Sequence, residues 1–318
     1  MTLTKIEQKN AVISLYFDVR SGWQQYFLLR SDVHHDSVAC AIDLERDHLE
    51  EAKRLNAYVL DFGDLFDAMQ GRFDPRRSMD ELAEKYRRDD YYDYVVQDLA
   101  EFYAPYAEQL LMLGHGNHET SVRRHSNTDL TDRLVYLLRT RYKSPVMSGG
   151  YGGWIRFMFN FRGGVGGATG SYRLKYFHGS GGEAPVTRGA IQTNRQAVYL
   201  PDADIVVNGH SHNAYWIPIT RERLSQRGVQ YFDLQHHVRI PGYKQGYGDG
   251  SGGFEVERGG APKPVGAVLM KMTARCANEV DYIEIEFEPR ISGPSAGIGQ
   301  VDVHSYTERF YSDDPEGE

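Results

Sequence analysis

Short apolar runs that stop at a glycine or a polar residue recur along the chain, and several of the intervals between them carry apolar positions at helical spacing. Residues 11–19 and 24–30 are rich in Val, Ile, Tyr, Phe and Leu, with Ser21-Gly22 between them. This predicts a hairpin whose second strand delivers Asp32. Asp36 or Ser37 can then cap a helix to about Asn56, because Val38, Ala41, Ile42, Leu49, Ala52 and Leu55 fall largely on one face. Residues 58–62 predict a buried strand ending at Gly63, and 111–113 another that stops at Gly114. A helix is expected from Asn127 or Thr128 to about Arg141, with Leu130, Leu134, Leu137 and Leu138 on one side. Residues 154–161 and 171–177 predict strands joined by the glycine-rich stretch 163–170. That stretch lacks the Gly-Lys-Ser/Thr ending of a P-loop, so a hairpin connection is expected. Further strands are predicted at 204–208, 213–219, 229–235, 265–274 and 280–288.

The order is β/α alternation first and mostly β later. It predicts an α/β fold of two sheets stacked between helices, in a single domain over residues 1–318. Two segments stand apart. In 71–109, Arg72, Arg76, Arg77, Arg87 and Arg88 are interleaved with Asp89, Asp90, Asp93 and four tyrosines. Two helices are expected there, the second from about Tyr92 to Leu110. The first is either a cap over a site or one member of an amphipathic pair with solvated charges. The tail from about residue 290, rich in Gly, Ser and Asp, is expected to be partly disordered.

Composition narrows the class. With 41% hydrophobic and 25% charged residues the chain can bury a sizeable core. Its net charge of -8 weighs against a long non-specific nucleic-acid groove but leaves room for a local basic patch. Cys40 and Cys276 are far apart and form no C-x-x-C, which fits a reducing compartment. The first ten residues lack the apolar core of a signal peptide, and no stretch reaches membrane-spanning length. A cytoplasmic protein with no membrane partner is expected.

Five clusters of metal-ligating residues each follow an apolar run: Asp32-Val-His34, Gly63-Asp-Leu-Phe-Asp67, Gly116-Asn-His-Glu119, His178 and Gly209-His-Ser-His212. Strand ends of a layered α/β protein can converge on one rim. Two divalent metals about 3.5–4 Å apart can hold a hydroxide between them and grip a phosphoryl oxygen. Such a pair favours a bridging carboxylate, with imidazoles that suit Mn, Fe or Zn. Asp64 is the natural bridge. Asp32, His34 and His212 can complete one metal, and Asn117, His178 and His210 the other. His118 is left beside Asn117 as general acid or transition-state donor, with Asp67 placed to fix its tautomer. The two metals are expected to be manganese, with iron or zinc as alternatives.

The constellation resembles the calcineurin-like metallophosphoesterase superfamily, whose pattern is D-x-H, G-D-x-x-D, G-N-H-D/E, a lone H and G-H-x-H in that order. All five are present across roughly residues 25–215. The resemblance implies a four-layer α/β/β/α sandwich of two mixed sheets flanked by helices, a dinuclear centre, and in-line attack of a metal-bridging hydroxide on a phosphoester. One departure bears on substrate. The Ser/Thr protein phosphatases of the superfamily carry Arg-Gly after the second motif and Arg before the third, where this chain has Ala68-Met69 and His115. A protein phosphatase is therefore not expected. A phosphodiesterase or nuclease is favoured, with a phosphomonoesterase or nucleotide phosphohydrolase as the alternative and an inert binding scaffold on the same fold as the second. Arg123, Arg124, Arg188 and Arg195 are candidates for substrate phosphate or nucleic-acid backbone, and equally ordinary surface arginines. His35, His48, His115, His125, His236, His237 and His304 are read as structural or surface.

Overall fold

The computed structural model describes residues 3–68, 81–161, 169–181, 187, 189–246, 261–277 and 280–292, and these form two mixed sheets. In chain order the strands are β1 Leu3–Lys9, β2 Val12–Val19, β3 Gln24–Arg30, β4 Tyr58–Asp61, β5 Leu110–Leu113, β6 Met147–Ser148, β7 Gly152–Phe161, β8 Thr169–Phe177, β9 Ile205–Asn208, β10 Tyr215–Leu224, β11 Gln230–Arg239, β12 Val265–Ala277 and β13 Val280–Ser292. The helices are α1 Ile42–Arg54, α2 Tyr91–Tyr103, α3 Asn117–Ser126, α4 Leu130–Tyr142 and α5 Ala190–Tyr199. The larger sheet runs β1-β2-β7-β8-β9-β11-β10 and the smaller β13-β12-β3-β4-β5-β6.

The layers explain the sequence pattern. β3, β4 and β5 pair in parallel and are buried on both faces, so they read as continuous apolar runs. Phe27 and Leu60 point between the sheets, where they meet Phe17, Phe157 and Phe159 of the larger sheet. Leu28 and Val59 point the other way, onto Leu49 of α1, Leu99 of α2 and Leu134 of α4. β7 has one buried face and shows the plain alternation of a half-covered strand. α5 lies against the far end of the larger sheet, where Thr193 Oγ1 and the Tyr215 hydroxyl are 3.2 Å apart. The result is helix, sheet, sheet, helix: the four-layer α/β/β/α sandwich. No helix among the described residues is long and apolar enough to cross a membrane.

Several local expectations are corrected. Residues 11–19 and 24–30 do not form a hairpin. β2 joins the larger sheet between β1 and β7, and β3 joins the smaller between β12 and β4. Ser21-Gly22 carries the chain from one sheet to the other, and β1 is the strand that pairs with β2. Neither Asp36 nor Ser37 caps α1, which starts at Ile42. α2 ends before Pro105 and is a wall of the sandwich, with Tyr91, Val95, Leu99 and Tyr103 buried. Residues 71–80, where a cap was expected, lie outside the described residues, as do 247–260 and everything beyond 292. β7 and β8 do pair antiparallel, from Gly152↔Phe177 to Asn160↔Thr169.

Candidate metal centre

Five strands end on one rim, and each hands the chain to a turn that carries candidate metal-ligating residues. β3 ends at Arg30 before Asp32 and His34, and β4 at Asp61 before Asp64. β5 ends at Leu113 before Asn117 and His118, β8 at Phe177 before His178, and β9 at Asn208 before His210 and His212. Ligand atoms of Asp32, His34 and His212 lie within 4.8 Å of one another, as do those of Asp64, His178 and His210. A third group within the same limit, His34, Asp64 and His118, joins the two halves.

The turns are strained. Among the described residues, ten without a glycine's freedom have positive φ, and five of these are Asp32, His34, Asp64, His210 and His212. Each such residue costs about 1–3 kcal/mol, so the rest of the fold must hold the rim in place. Close packing does part of this. A Cβ at Gly116 would lie 2.0 Å from Asp64 Oδ1, and one at Gly209 would lie 2.1 Å from Ser31 Oγ and 2.6 Å from Asp32 Oδ2. Only glycine lets the third and fifth motifs approach the first two this closely. Buried Glu119 does the rest, accepting from the amides of Asp64 (3.1 Å), Phe66 (3.1 Å) and Gly116 (2.7 Å). Burial, reinforced by Asp64, pushes its carboxyl up to about 7.

The donor chemistry fits a cation. His178 Nδ1 is 3.0 Å from the Phe62 carbonyl, which leaves Nε2 facing Asp64 Oδ2 at 3.1 Å. His34 Nδ1 is 2.9 Å from Asp67 Oδ1, which again leaves Nε2 for the centre. Asp32 Oδ2 accepts from the His210 amide at 2.8 Å. Asp32 Oδ1 is buried, has no hydrogen-bond partner, and faces His212 Nε2 at 3.4 Å. A buried carboxylate oxygen that no hydrogen-bond donor satisfies, set among imidazole nitrogens, is a costly arrangement that a bound cation would relieve. Burial alone would raise the Asp32 and Asp64 carboxyls, but His178 and the neighbouring histidines outweigh it and hold both below the usual range. His178 in turn is pushed up to about 10: burial opposes this, and Asp64 and Asp32 prevail. These Asp/His groups could hold metal ions.

The structure brings together Asp32, His34, Asp64, His118, His178, His210 and His212. Asn117 opens α3 directly after Gly116, at the turn that abuts Asp64. Asp67 meets the His118 ring as expected, but through its main chain. Its carboxylate is 3.9 Å from His118 Nδ1 and serves His34 instead, while the Asp67 backbone carbonyl lies 2.5 Å from His118 Nδ1. Spacing along the chain puts Asp67 near both imidazoles but does not say which of its oxygens faces which ring. Arg123 pairs with Asp129 at 3.2 Å, Arg124 is exposed on α3, Arg195 lies on α5, and Arg188 is outside the described residues. His115 is buried, with Nδ1 2.8 Å from the Gly149 carbonyl and Nε2 3.0 Å from Asp129, as a structural residue should be.

Three contributors were missed. Asp36 accepts from the amides of Asp67 (2.6 Å) and Ala68 (3.0 Å) and so shapes the turn after the second motif. Its position two residues beyond His34 was the available signal. Arg239 donates from Nη1 to the Gly209 carbonyl at 2.7 Å, and Lys244 reaches Asp67 at 3.1 Å. Neither belongs to a motif, and no local pattern marks them.

The four-layer sandwich with five candidate metal-ligating groups at strand ends on one rim is the arrangement that the motif resemblance implies. No family model matches the chain, and no curated protein matches it. Solved structures similar to it include Vacuolar Protein Sorting 29 from Cryptosporidium parvum, at 12% identity and a TM-score of 0.34 over 84% of this chain and 100% of that one. A candidate 5'-nucleotidase from Staphylococcus aureus, in complex with alpha-ketoglutarate, is 15% identical with a TM-score of 0.41 over 90% of this chain and 58% of that one. A predicted phosphoesterase from Streptococcus pneumoniae TIGR4 is 11% identical with a TM-score of 0.31 over 83% of this chain and 99% of that one. Likenesses of this strength say nothing of activity, and the chain's chemistry is read from its own residues.

Proposed function

We propose that the chain is a dinuclear metal-dependent phosphoesterase acting on phosphodiesters, nucleic acid included. The observation that carries this reading is the pair of Asp/His groups, 32/34/212 and 64/178/210, that share one rim with His118 beside them. Carboxylate and imidazole donors of this kind suit manganese first, with iron or zinc as alternatives. A bound metal pair would supply a Lewis acid for the phosphoryl oxygens and an activated water.

The chain's own residues do the rest. Asp64 faces both His178 and His118, which supports it as the carboxylate that two metals would share. His118 is held at Nδ1 by the Asp67 carbonyl, so its Nε2 is turned toward Asp64 Oδ2, 3.9 Å away. As the imidazolium, with the Nδ1 proton donated to the Asp67 carbonyl, it would give its Nε2 proton to the leaving oxygen and stay neutral in the Nδ1–H form. The preference for diesters rests on what stands where a monoester dianion would be clamped. Ala68 offers no charge, and both ring nitrogens of His115 are engaged by Gly149 and Asp129. Arg123 and Arg124 on α3 are the described arginines offered to the substrate.

The test is hydrolysis of bis-p-nitrophenyl phosphate beside p-nitrophenyl phosphate by chelator-stripped protein with Mn2+ restored. Diester turnover that needs the metal is expected. It should fall about a thousandfold in Asp64→Asn and at least a hundredfold in His118→Ala. Full metal-dependent turnover by Asp64→Asn sinks the assignment, and faster monoester turnover overturns the substrate class alone.

A further inference from the structure

The two groups of ligands share a rim but are not held alike, and Lys244 is the residue that marks the difference. It follows β11 in a segment that runs beneath the first motif. The Tyr243 amide donates to the Asp32 carbonyl at 2.8 Å, the Ala41 amide to the Tyr243 carbonyl at 2.8 Å, and the Gln245 amide to the Ala39 carbonyl at 2.8 Å. On the other side of the same stretch, the Val38 amide donates to the Glu81 carbonyl and the Ala83 amide to the Asp36 carbonyl, both at 2.9 Å. Residues 36–41, just past His34, are thus laced between 81–83 and 243–245. The Lys244 ammonium closes this arrangement: Nζ is 3.1 Å from Asp67 Oδ1 and 3.4 Å from Glu81 Oε2. Asp67 Oδ1 is the same oxygen that lies 2.9 Å from His34 Nδ1.

We infer that Lys244 is a positioning residue for the metal site of Asp32, His34 and His212, acting through Asp67 to fix the ring of His34. A lone buried carboxylate facing an imidazole is free to rotate away from it. An ammonium bonded to that carboxylate holds the charged oxygen against Nδ1, which favours the tautomer that leaves Nε2 open toward the centre. Burial works against the lysine's charge, but Asp67 and Glu81 outweigh it and keep the ammonium protonated. The ligand set of the motifs does not include this residue, and it rests on the proposed function only in that a metal must bind there.

The experiment is Mn2+ titration calorimetry on chelator-stripped full-length protein. Wild type is compared with Lys244→Met, Lys244→Arg, Asp67→Asn and the Asp67→Asn/Lys244→Met double variant, with folding checked by circular dichroism. Lys244→Met is expected to weaken one of two binding events about tenfold and to leave the other unchanged. Lys244→Arg, which can still donate to Asp67, should recover most of the loss. The double variant should bind no worse than Asp67→Asn, because both substitutions break one chain of contacts. Should Lys244→Met fail to fold, Lys244→Gln carries the test with the same outcomes. Wild-type uptake of Mn2+ with unchanged affinity in the lysine variants, or losses that multiply in the double variant, overturns this inference and leaves the proposed function standing. A wild type that takes up no metal overturns both.

Discussion

His34 and His178 are both imidazoles aimed at one centre, yet their rings are fixed by different parts of the protein. His178 is held by main chain. Its Nδ1 faces the Phe62 carbonyl, its amide donates to the Tyr151 carbonyl at 2.9 Å, and its own carbonyl accepts from the Gly209 amide at 2.8 Å. Those partners stand at the ends of three strands, Phe62 just past β4, Tyr151 just before β7 and Gly209 just past β9, and the last two strands flank β8 in the larger sheet. The backbone of His34 is held the same way, its amide donating to the Asp64 carbonyl at 3.0 Å and its carbonyl accepting from the Ser37 amide at 2.9 Å, but its ring is met by a side chain, Asp67, with Lys244 behind it. A main-chain anchor is as rigid as its sheet and cannot be removed by substituting the anchoring residue. A side-chain anchor can be lost at a single position, so the His34 half should be the sensitive one.

Three experiments break or sharpen that contrast, beyond those on Asp64 and Lys244. The largest effect is expected from Gly116→Ala, which strikes both halves at once. Its Cβ would meet Asp64 Oδ1 at 2.0 Å and displace the group shared by both. A stability loss of about 3 kcal/mol by thermal melting is expected, with Mn2+ uptake lost at both sites. A variant that melts and titrates as wild type would mean that Asp64 can move away without consequence. Next comes Arg239→Met, on the main-chain half. It leaves the Gly209 carbonyl without its guanidinium donor, a loss of about 2 kcal/mol in stability. Mn2+ uptake should stay within about threefold of wild type, because the strand pairing that places His178 and His210 is intact. A tenfold loss of uptake would show that the two halves depend on side chains alike.

The smallest effect concerns His48, on α1 beneath the lysine-bearing segment. Its Nδ1 is 2.8 Å from the Tyr243 hydroxyl, and burial lowers its pKa to about 4. A group whose folded pKa is depressed contributes stability that is present above its unfolded value and is lost as pH falls toward the folded one. For His48 that window runs from about 6.5 down to about 4. In chelator, wild type should lose about 1 kcal/mol more than His48→Gln between pH 8 and pH 6. Parallel losses in the two proteins would show that His48 is charged, or solvated, in the folded state.

Much of the site was legible because its information is local. Each ligand follows an apolar run, and a run that stops at glycine marks a strand end whether or not its neighbours are known. The same locality set the limit. β2 and β3 both read as apolar strands beside a tight turn, and that pattern serves a hairpin and a step between sheets equally well. α5 carries exposed Ile191, Val198 and Tyr199, so its apolar positions do not mark a buried face. Asp36 reads as a helix cap because aspartate before a helical pattern usually is one. Here its carboxylate is taken by the amides of Asp67 and Ala68 and by the Tyr91 hydroxyl.

What the chain determines by itself is the inventory. It specifies which residues can bind a metal, that they stand at strand ends, and that two sheets bury their faces between helices. All of these follow from residue type and periodicity, which act over a few neighbours. What only the tertiary structure decided is the partnering: β1 rather than β3 beside β2, the Asp67 carboxylate on His34 rather than His118, and Lys244 behind it. The reason is physical. A buried carboxylate takes the hydrogen-bond donors that packing leaves within reach. For Asp67 one of those is a lysine 177 positions away, and no short-range pattern can announce it.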